Sequence, residues 1–320
     1  MKKVLFFSLL AVVAFLALRM GEKPAEKNEK LSDIAKESSG EGKCDLSNSL
    51  RLHTPESIEP DSASEFILNI LDVKRPVLHR APEIMKLRQK KLNSADERAL
   101  LEHLTKVHTD ESQAIKNDII EHMVRYGSDQ KQVGHALLDI LKNSQQDKVI
   151  REYTLQYIPE YYMNRWNPAA EWDISEDDER EIFNSVLWEM TDLTEGSMAG
   201  GALFALFRLA DKYGDLNQKE VFNKSLNVML DTSYMNPNRM GAMQILAFSK
   251  NEKYFDEARK IVLDENQPVL LKVTAIHTAT QSKFLDKDFY THLKTLAKGG
   301  DGIHPTLSKC ASLTLSKIKN

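Results

Sequence analysis

The chain has 320 residues, 42% hydrophobic and 28% charged, with a formal net charge of −4. A mildly acidic balance excludes the basic footprint that nucleic acid requires, and it argues against broad adhesion to anionic lipid. Cys44 and Cys310 can pair in an oxidising compartment, but an apolar helical stripe around Cys310 gives that residue an alternative role as a small core side chain.

Residues 1–20 form an export segment. Lys2 and Lys3 precede an apolar run from Val4 to Leu18, in which Ser8 is the only polar member. Neither Ala17 nor Gly21 completes a small-x-small cleavage site, because Phe15 and Arg19 stand two residues before them. Cys44 lies too far along the chain to serve as a lipoprotein cysteine. The run is a little short of the ~17–25 residues of a spanning helix, and snorkelling by Arg19 would extend it. The expected address is the periplasmic side of a cell envelope. The segment would be retained as an inner-membrane anchor, or removed from a secreted form by cleavage near Ala17 or Gly21. Residues 21–60 follow as a disordered linker, rich in Glu, Lys, Ser and Gly, with too little apolar surface to offset chain entropy.

Residues 61–320 are expected to form an all-α domain. Ser62-x-x-Glu65 and Ser94-x-x-Glu97 are capping-box patterns ahead of helical apolar runs. Helices are predicted in pairs. The first members cover 95–107, 133–142, 177–190, 218–230, 253–264 and 286–297. The second members cover 150–158, 198–210, 238–248, 269–279 and 306–315. Small residues recur in the second members at Thr154, Ala202, Ala242, Ala275 and Ser312, spaced by 48, 40, 33 and 37 residues. Three residues before each stand Arg151, Ala199, Arg239, Lys272 and Lys309, and a weaker copy places Lys116 before Ile119. Pro268 and Pro305 are expected at the first position of their helices, where a missing N–H is harmless.

A two-helix period near 40 residues with a basic–x–x–small signature resembles HEAT repeats over about residues 95–320. The usual first-helix proline and the Asp–Val–Arg turn of that family are not kept. The resemblance implies a right-handed α-solenoid of about six antiparallel helix pairs, in which each pair buries its open face against its neighbours.

No cofactor, metal or catalytic constellation is expected. His103 and His108 are five residues apart, which places them on different helix faces. Gly200-Gly201 falls inside a helical window with no preceding strand, and close helix packing accounts for it better than a phosphate cradle. The acidic run 173–179 reads as helix N-terminal charge rather than a calcium loop. The segment 157–172 stands out because Tyr157, Tyr161, Tyr162, Arg165, Trp166 and Trp172 cluster there, in the longest interval between repeats. These residue types dominate binding hot spots, which makes the six candidates for partner contact. The competing expectation is that the rings fold back and fill a gap between repeats.

The expected function is therefore that of an exported or membrane-tethered scaffold binding a protein or peptide, as an assembly factor, an adaptor or an inhibitor with an immunity role. The alternative is a helical-repeat lyase or toroid-type enzyme acting on an envelope glycan.

Overall fold

Among the described residues the fold consists of fourteen α-helices and no strand. The computed structural model describes residues 62–108, 111–166, 177–214, 216–282 and 286–318. Residues 57–320 form one compact unit. Residues 1–61, which hold the expected export segment, the expected linker and Cys44, lie outside the described residues. No helix among the described residues is long and apolar enough to cross a membrane.

In chain order the helices are α1 (Glu65–Leu71), α2 (Val77–Leu87), α3 (Ser94–Thr105), α4 (Gln113–Tyr126), α5 (Gln130–Lys142), α6 (Lys148–Arg165) and α7 (Asp177–Met190). They continue as α8 (Met198–Ala210), α9 (Gln218–Leu230), α10 (Asn236–Ala247), α11 (Glu252–Leu263), α12 (Val269–Ala279), α13 (Lys287–Lys298) and α14 (Pro305–Ile318). The predicted first and second members match α3 and α5 to α14 to within a few residues, except that α6 runs on to Arg165. The α1–α2 pair is an additional one ahead of them.

Short polar side chains start many of these helices. The side chains of Asn93, Asp129, Asp147, Asn217, Asn251 and Asp286 each accept a bond from a backbone N–H of the first turn. Two predicted caps are displaced. Ser64, not Ser62, caps α1 by accepting from Ile67 N, and Asn93 rather than Ser94 caps α3. In both cases the residue nearer the true turn has the extended backbone that a cap requires. Pro305 is the first residue of α14 as expected, whereas Pro268 stands one position earlier, as the cap of α12.

Helices pack on their neighbours one and two places along the chain. The second members form an unbroken row in which α2, α4, α6, α8, α10, α12 and α14 each touch the next. The first members touch through α1, α3, α5 and α7; among the described residues α7, α9, α11 and α13 make no comparable contact with one another. One contiguous core threads the row, from Ile67 and Ile70 in α1 to Leu307 and Leu315 in α14.

The recurrent basic residue has a structural task in four pairs. Arg80 Nε donates to Ile70 O at 2.6 Å, Arg151 Nη2 to Leu141 O at 2.8 Å, and Arg239 Nε to Met229 O at 2.9 Å. Lys116 Nζ donates to Leu104 O and Lys106 O at 3.2 and 2.6 Å. Each cation is buried and satisfies a carbonyl at the C-terminal end of the preceding helix, where no intrahelical donor remains. Helix C-termini also favour positive charge. In α14 the pattern shifts by one residue. Lys309 and Ser312 are exposed, Ala311 fills the buried slot, and Ser308 Oγ donates to Ala297 O at 3.2 Å.

The small residues permit close approach, as predicted. Thr154, Ala202, Ala242 and Ala275 are fully buried. A close crossing joins α8 to α10, where a Cβ on Gly241 would lie 3.0 Å from Gly200 Cα. Asn238 closes this crossing by accepting from Gly200 N at 3.0 Å and donating to Thr194 O at 2.9 Å.

Candidate functional site

The aromatic segment lies at the C-terminal end of α6 and just beyond it. Tyr161, Tyr162 and Trp166 are fully buried, so these three expected partner contacts present no surface. Their rings pack edge-to-face, with centroids 4.8 Å apart for Tyr162–Trp166 and 5.7 Å for Tyr161–Trp166. Phe183 of α7 lies 5.2 Å from the Tyr161 ring and Tyr213, after α8, lies 5.8 Å from the Tyr162 ring. The physical reason is volume. Large rings fill the space between α6, α7 and the end of α8, with the tyrosine hydroxyls hydrogen-bonded inside, while Trp166 Nε1 has no partner among the described residues. Tyr162 Oη meets Asn184 Oδ1 at 2.8 Å, and Tyr213 Oη donates to Trp166 O at 2.9 Å. Burial, followed by the Glu179 charge, raises the Tyr161 hydroxyl pKa. Arg165 pairs with Glu179 at 3.6 Å and is mostly covered. Trp172 lies outside the described residues, as do residues 173–176 of the acidic run.

Tyr157 is the tyrosine of the cluster that is only partly buried, and its setting is polar. It is half-buried on the α4-facing side of α6, bonded to Asn117 and close to Glu121 and Arg125. Burial, with the Glu121 charge, pushes its hydroxyl up to about 12. Arg125 bridges the helices by donating to Glu160 at 2.8 Å and pairing with Glu121, which also accepts from Arg88 at 2.9 Å. Asp118 on the same face is raised by burial and by Glu121. Gln156, Glu160 and Met163 of α6, Phe204 and Arg208 of α8, and Gln244 of α10 continue this partly exposed band along the second members.

A second polar group is enclosed at the α3–α4 turn. Glu111 accepts both Arg80 guanidinium nitrogens at 2.9 and 2.6 Å, His103 Nε2 lies 2.7 Å away, and Ser112 N donates at 2.6 Å. Burial alone would raise this carboxyl, yet the bonds from His103, Arg80 and Ser112 outweigh it and bring Glu111 down to about 2. At that value it is a fixed negative charge rather than a proton carrier near neutrality. The His108 ring stacks on His103 at 4.5 Å, so a turn brings together two residues that helical spacing alone would separate. Burial and the charges of His103 and Lys116 lower the His108 pKa, and its Nε2 has no hydrogen-bond partner among the described residues. An open cleft of about 440 Å³ adjoins this group, lined by His108, Glu111, Lys116, Gln146, Asp147 and Tyr153 among others. Lys116 Nζ is already saturated by carbonyls and Gln146. Among the described residues no group of three or more His, Cys, Asp or Glu could hold a metal ion. Cys310 is a buried thiol in α14, 3.8 Å from His277 Nε2, and burial raises its pKa.

Sequence reasoning missed Phe183, Tyr213 and Asn184, which complete the aromatic packing from distant parts of the chain. It also missed Glu111 as the hub of the α2–α4 polar group. No protein-family profile, curated protein or solved structure matches this chain.

Proposed function

We propose that this protein is an exported, membrane-tethered α-solenoid, similar to HEAT-repeat proteins, that holds a protein or peptide partner along the face of its second helices. One observation carries the reading. The second-member helices are in unbroken contact from α2 to α14, while the first members part company after α7. A stack that is closely spaced on one side and splayed on the other curves toward the close side. The inner side of such a curve is an extended surface suited to a long or irregular ligand. Tyr157, Glu160 and Gln156 of α6, Phe204 and Arg208 of α8, and Gln244 of α10 would line it. This band combines aromatic rings with charge of both signs, the composition of binding hot spots rather than of a purely solvated surface.

The test is site-directed photo-crosslinking in the intact cell envelope. A photoreactive residue at Gln156 or Gln244 should capture a discrete protein partner, whereas one at Lys131 on α5 should not. Equal capture at all three positions, or none at either second-member position, would refute the assignment.

A further inference from the structure

Repeat stacks have two ends, and each end is a helix pair with a neighbour on one side only. Such ends are normally covered by a polar outer face. The α14 end follows that rule, exposing Lys309, Ser312, Ser316 and Lys317 around the single apolar residue Leu313. The α2 end does not. Its outward stripe is Leu78, Pro82 and Met85, one helical turn apart, with Leu78 81% and Met85 59% exposed. Val73 and Val77 extend it into the α1–α2 turn, and Leu68 of α1 is 55% exposed.

The charge around this stripe also departs from the rest of the chain. Residues 62–91 hold seven Lys and Arg against three Asp and Glu, a balance of +4 in a chain of −4 overall. Three of these cations are paired: Arg75 with Glu83, Arg80 with Glu111 and Arg88 with Glu121. Lys74, Lys86 and Lys91 have no ion-pair partner among the described residues, and Lys90 lies over the Phe66 ring, 3.8 Å from its centroid. A second copy of the chain docking through the same face would bring like charges together, which disfavours a symmetric dimer.

We infer that the α1–α2 end docks on an anionic lipid surface, with Leu78 and Met85 entering the headgroup boundary and Lys74, Lys86 and Lys91 meeting lipid phosphates. An exposed apolar stripe flanked by unpaired lysines on a short helix is the composition of interfacial membrane contact. This inference concerns the end of the stack and stands apart from the second-helix face assigned to a protein partner.

The experiment uses the full chain carrying Leu78→Trp, reconstituted into vesicles of phosphatidylcholine with or without phosphatidylglycerol and containing brominated acyl chains. The parent chain supplies the background of the native tryptophans, and it also controls for any insertion of residues 4–18, which is common to all samples. The introduced indole should be blue-shifted and lose emission in the anionic vesicles. It should remain unquenched in neutral vesicles or at high salt, because the lysine contribution is screened. Combining it with Lys74→Glu, Lys86→Glu and Lys91→Glu should restore emission while leaving far-UV dichroism unchanged. Absence of quenching in anionic vesicles, or equal quenching with and without phosphatidylglycerol, would overturn the inference. A blue shift without lipid that grows with protein concentration would also overturn it, in favour of self-association.

Discussion

The α8–α10 crossing offers the sharpest test of the packing, because two opposing effects meet at one glycine. Gly241→Ala places a methyl carbon 3.0 Å from Gly200 Cα and 3.4 Å from Gly200 C. Carbon atoms rest at ~3.5–4.0 Å, so the helices must separate by roughly half an ångström. The obstructing atoms are backbone and cannot rotate aside. Forced separation of a packed core costs about 1–3 kcal/mol. Replacing a mid-helix glycine by alanine returns about 0.5–1 kcal/mol of backbone entropy. The net expectation for Gly241→Ala is a loss of about 1–2 kcal/mol. Gly201→Ala is the matched control. Its new carbon would meet Leu155 Cδ1 at 3.3 Å, the flexible end of a side chain that can shift. That variant should keep most of its propensity gain and melt at or above the parent. Urea and thermal unfolding of the two variants, side by side, measure the difference. A Gly241→Ala protein as stable as the parent would show that the helices do not cross at this separation, and a strongly destabilised Gly201→Ala would show that Leu155 is more rigidly held than its packing implies.

Trp166→Ala should cost about 3–5 kcal/mol, since it empties a fully buried site among Tyr161, Tyr162 and Phe183; an unchanged melting temperature would return the segment to the role of a surface contact. Glu111 is lowered to about 2 from its ordinary 4.5, so the native state holds fewer protons than the unfolded chain. Its contribution, roughly 3 kcal/mol, is present above the ordinary carboxylate range and fades as pH falls from about 4.5 toward about 2. Glu111→Gln should flatten that acid limb in a series of urea midpoints, and an unaltered slope would contradict the assignment. Arg151→Met keeps the buried stem but strands the Leu141 carbonyl, for an expected loss of about 1.5–3 kcal/mol; Lys309→Met, at an exposed position, should change the melting temperature little.

Helix positions were legible because apolar periodicity and turn residues act locally. The pairing was legible for the same reason, as were the small residues at Ala202, Ala242 and Ala275. The Gly200-Gly201 pair was correctly assigned to close packing, although nothing local reveals that Gly241 is its counterpart. The basic positions were visible as a pattern but not as a mechanism. A carbonyl at the end of one helix and a guanidinium in the next become partners only after the chain has turned back. The α14 pattern was read one residue late because serine performs the task there and Lys309 is a solvated neighbour. The aromatic segment shows the limit most plainly. Composition places Tyr161, Tyr162 and Trp166 together, but whether rings face solvent or core depends on Phe183 and Tyr213, whose arrival no spacing rule announces. The helix expected over 150–158 runs on to Arg165, with Pro159 inside it, so its end was read seven residues early.

The carbonyl-to-cation bonds also bear on how the chain folds. Those made by Arg80, Arg151 and Arg239 each span ten residues, so they need only the helix pair that contains them. A chain emerging N-terminus first, from a ribosome or a translocation pore, can close each pair before the next has appeared. Late, long-distance closure is unnecessary, which keeps loop-closure entropy small at every step. The device is unevenly distributed: buried cations serve the α1–α2, α3–α4, α5–α6 and α9–α10 pairs, whereas α8 has Ala199 at that position, Lys272 of α12 makes no such bond among the described residues and α14 relies on serine. Opening should therefore begin at the C-terminal pairs and run backward. Amides of α12 to α14 would exchange with solvent first and those of α4 to α6 last, making this a protein that assembles in one direction and comes apart in the other.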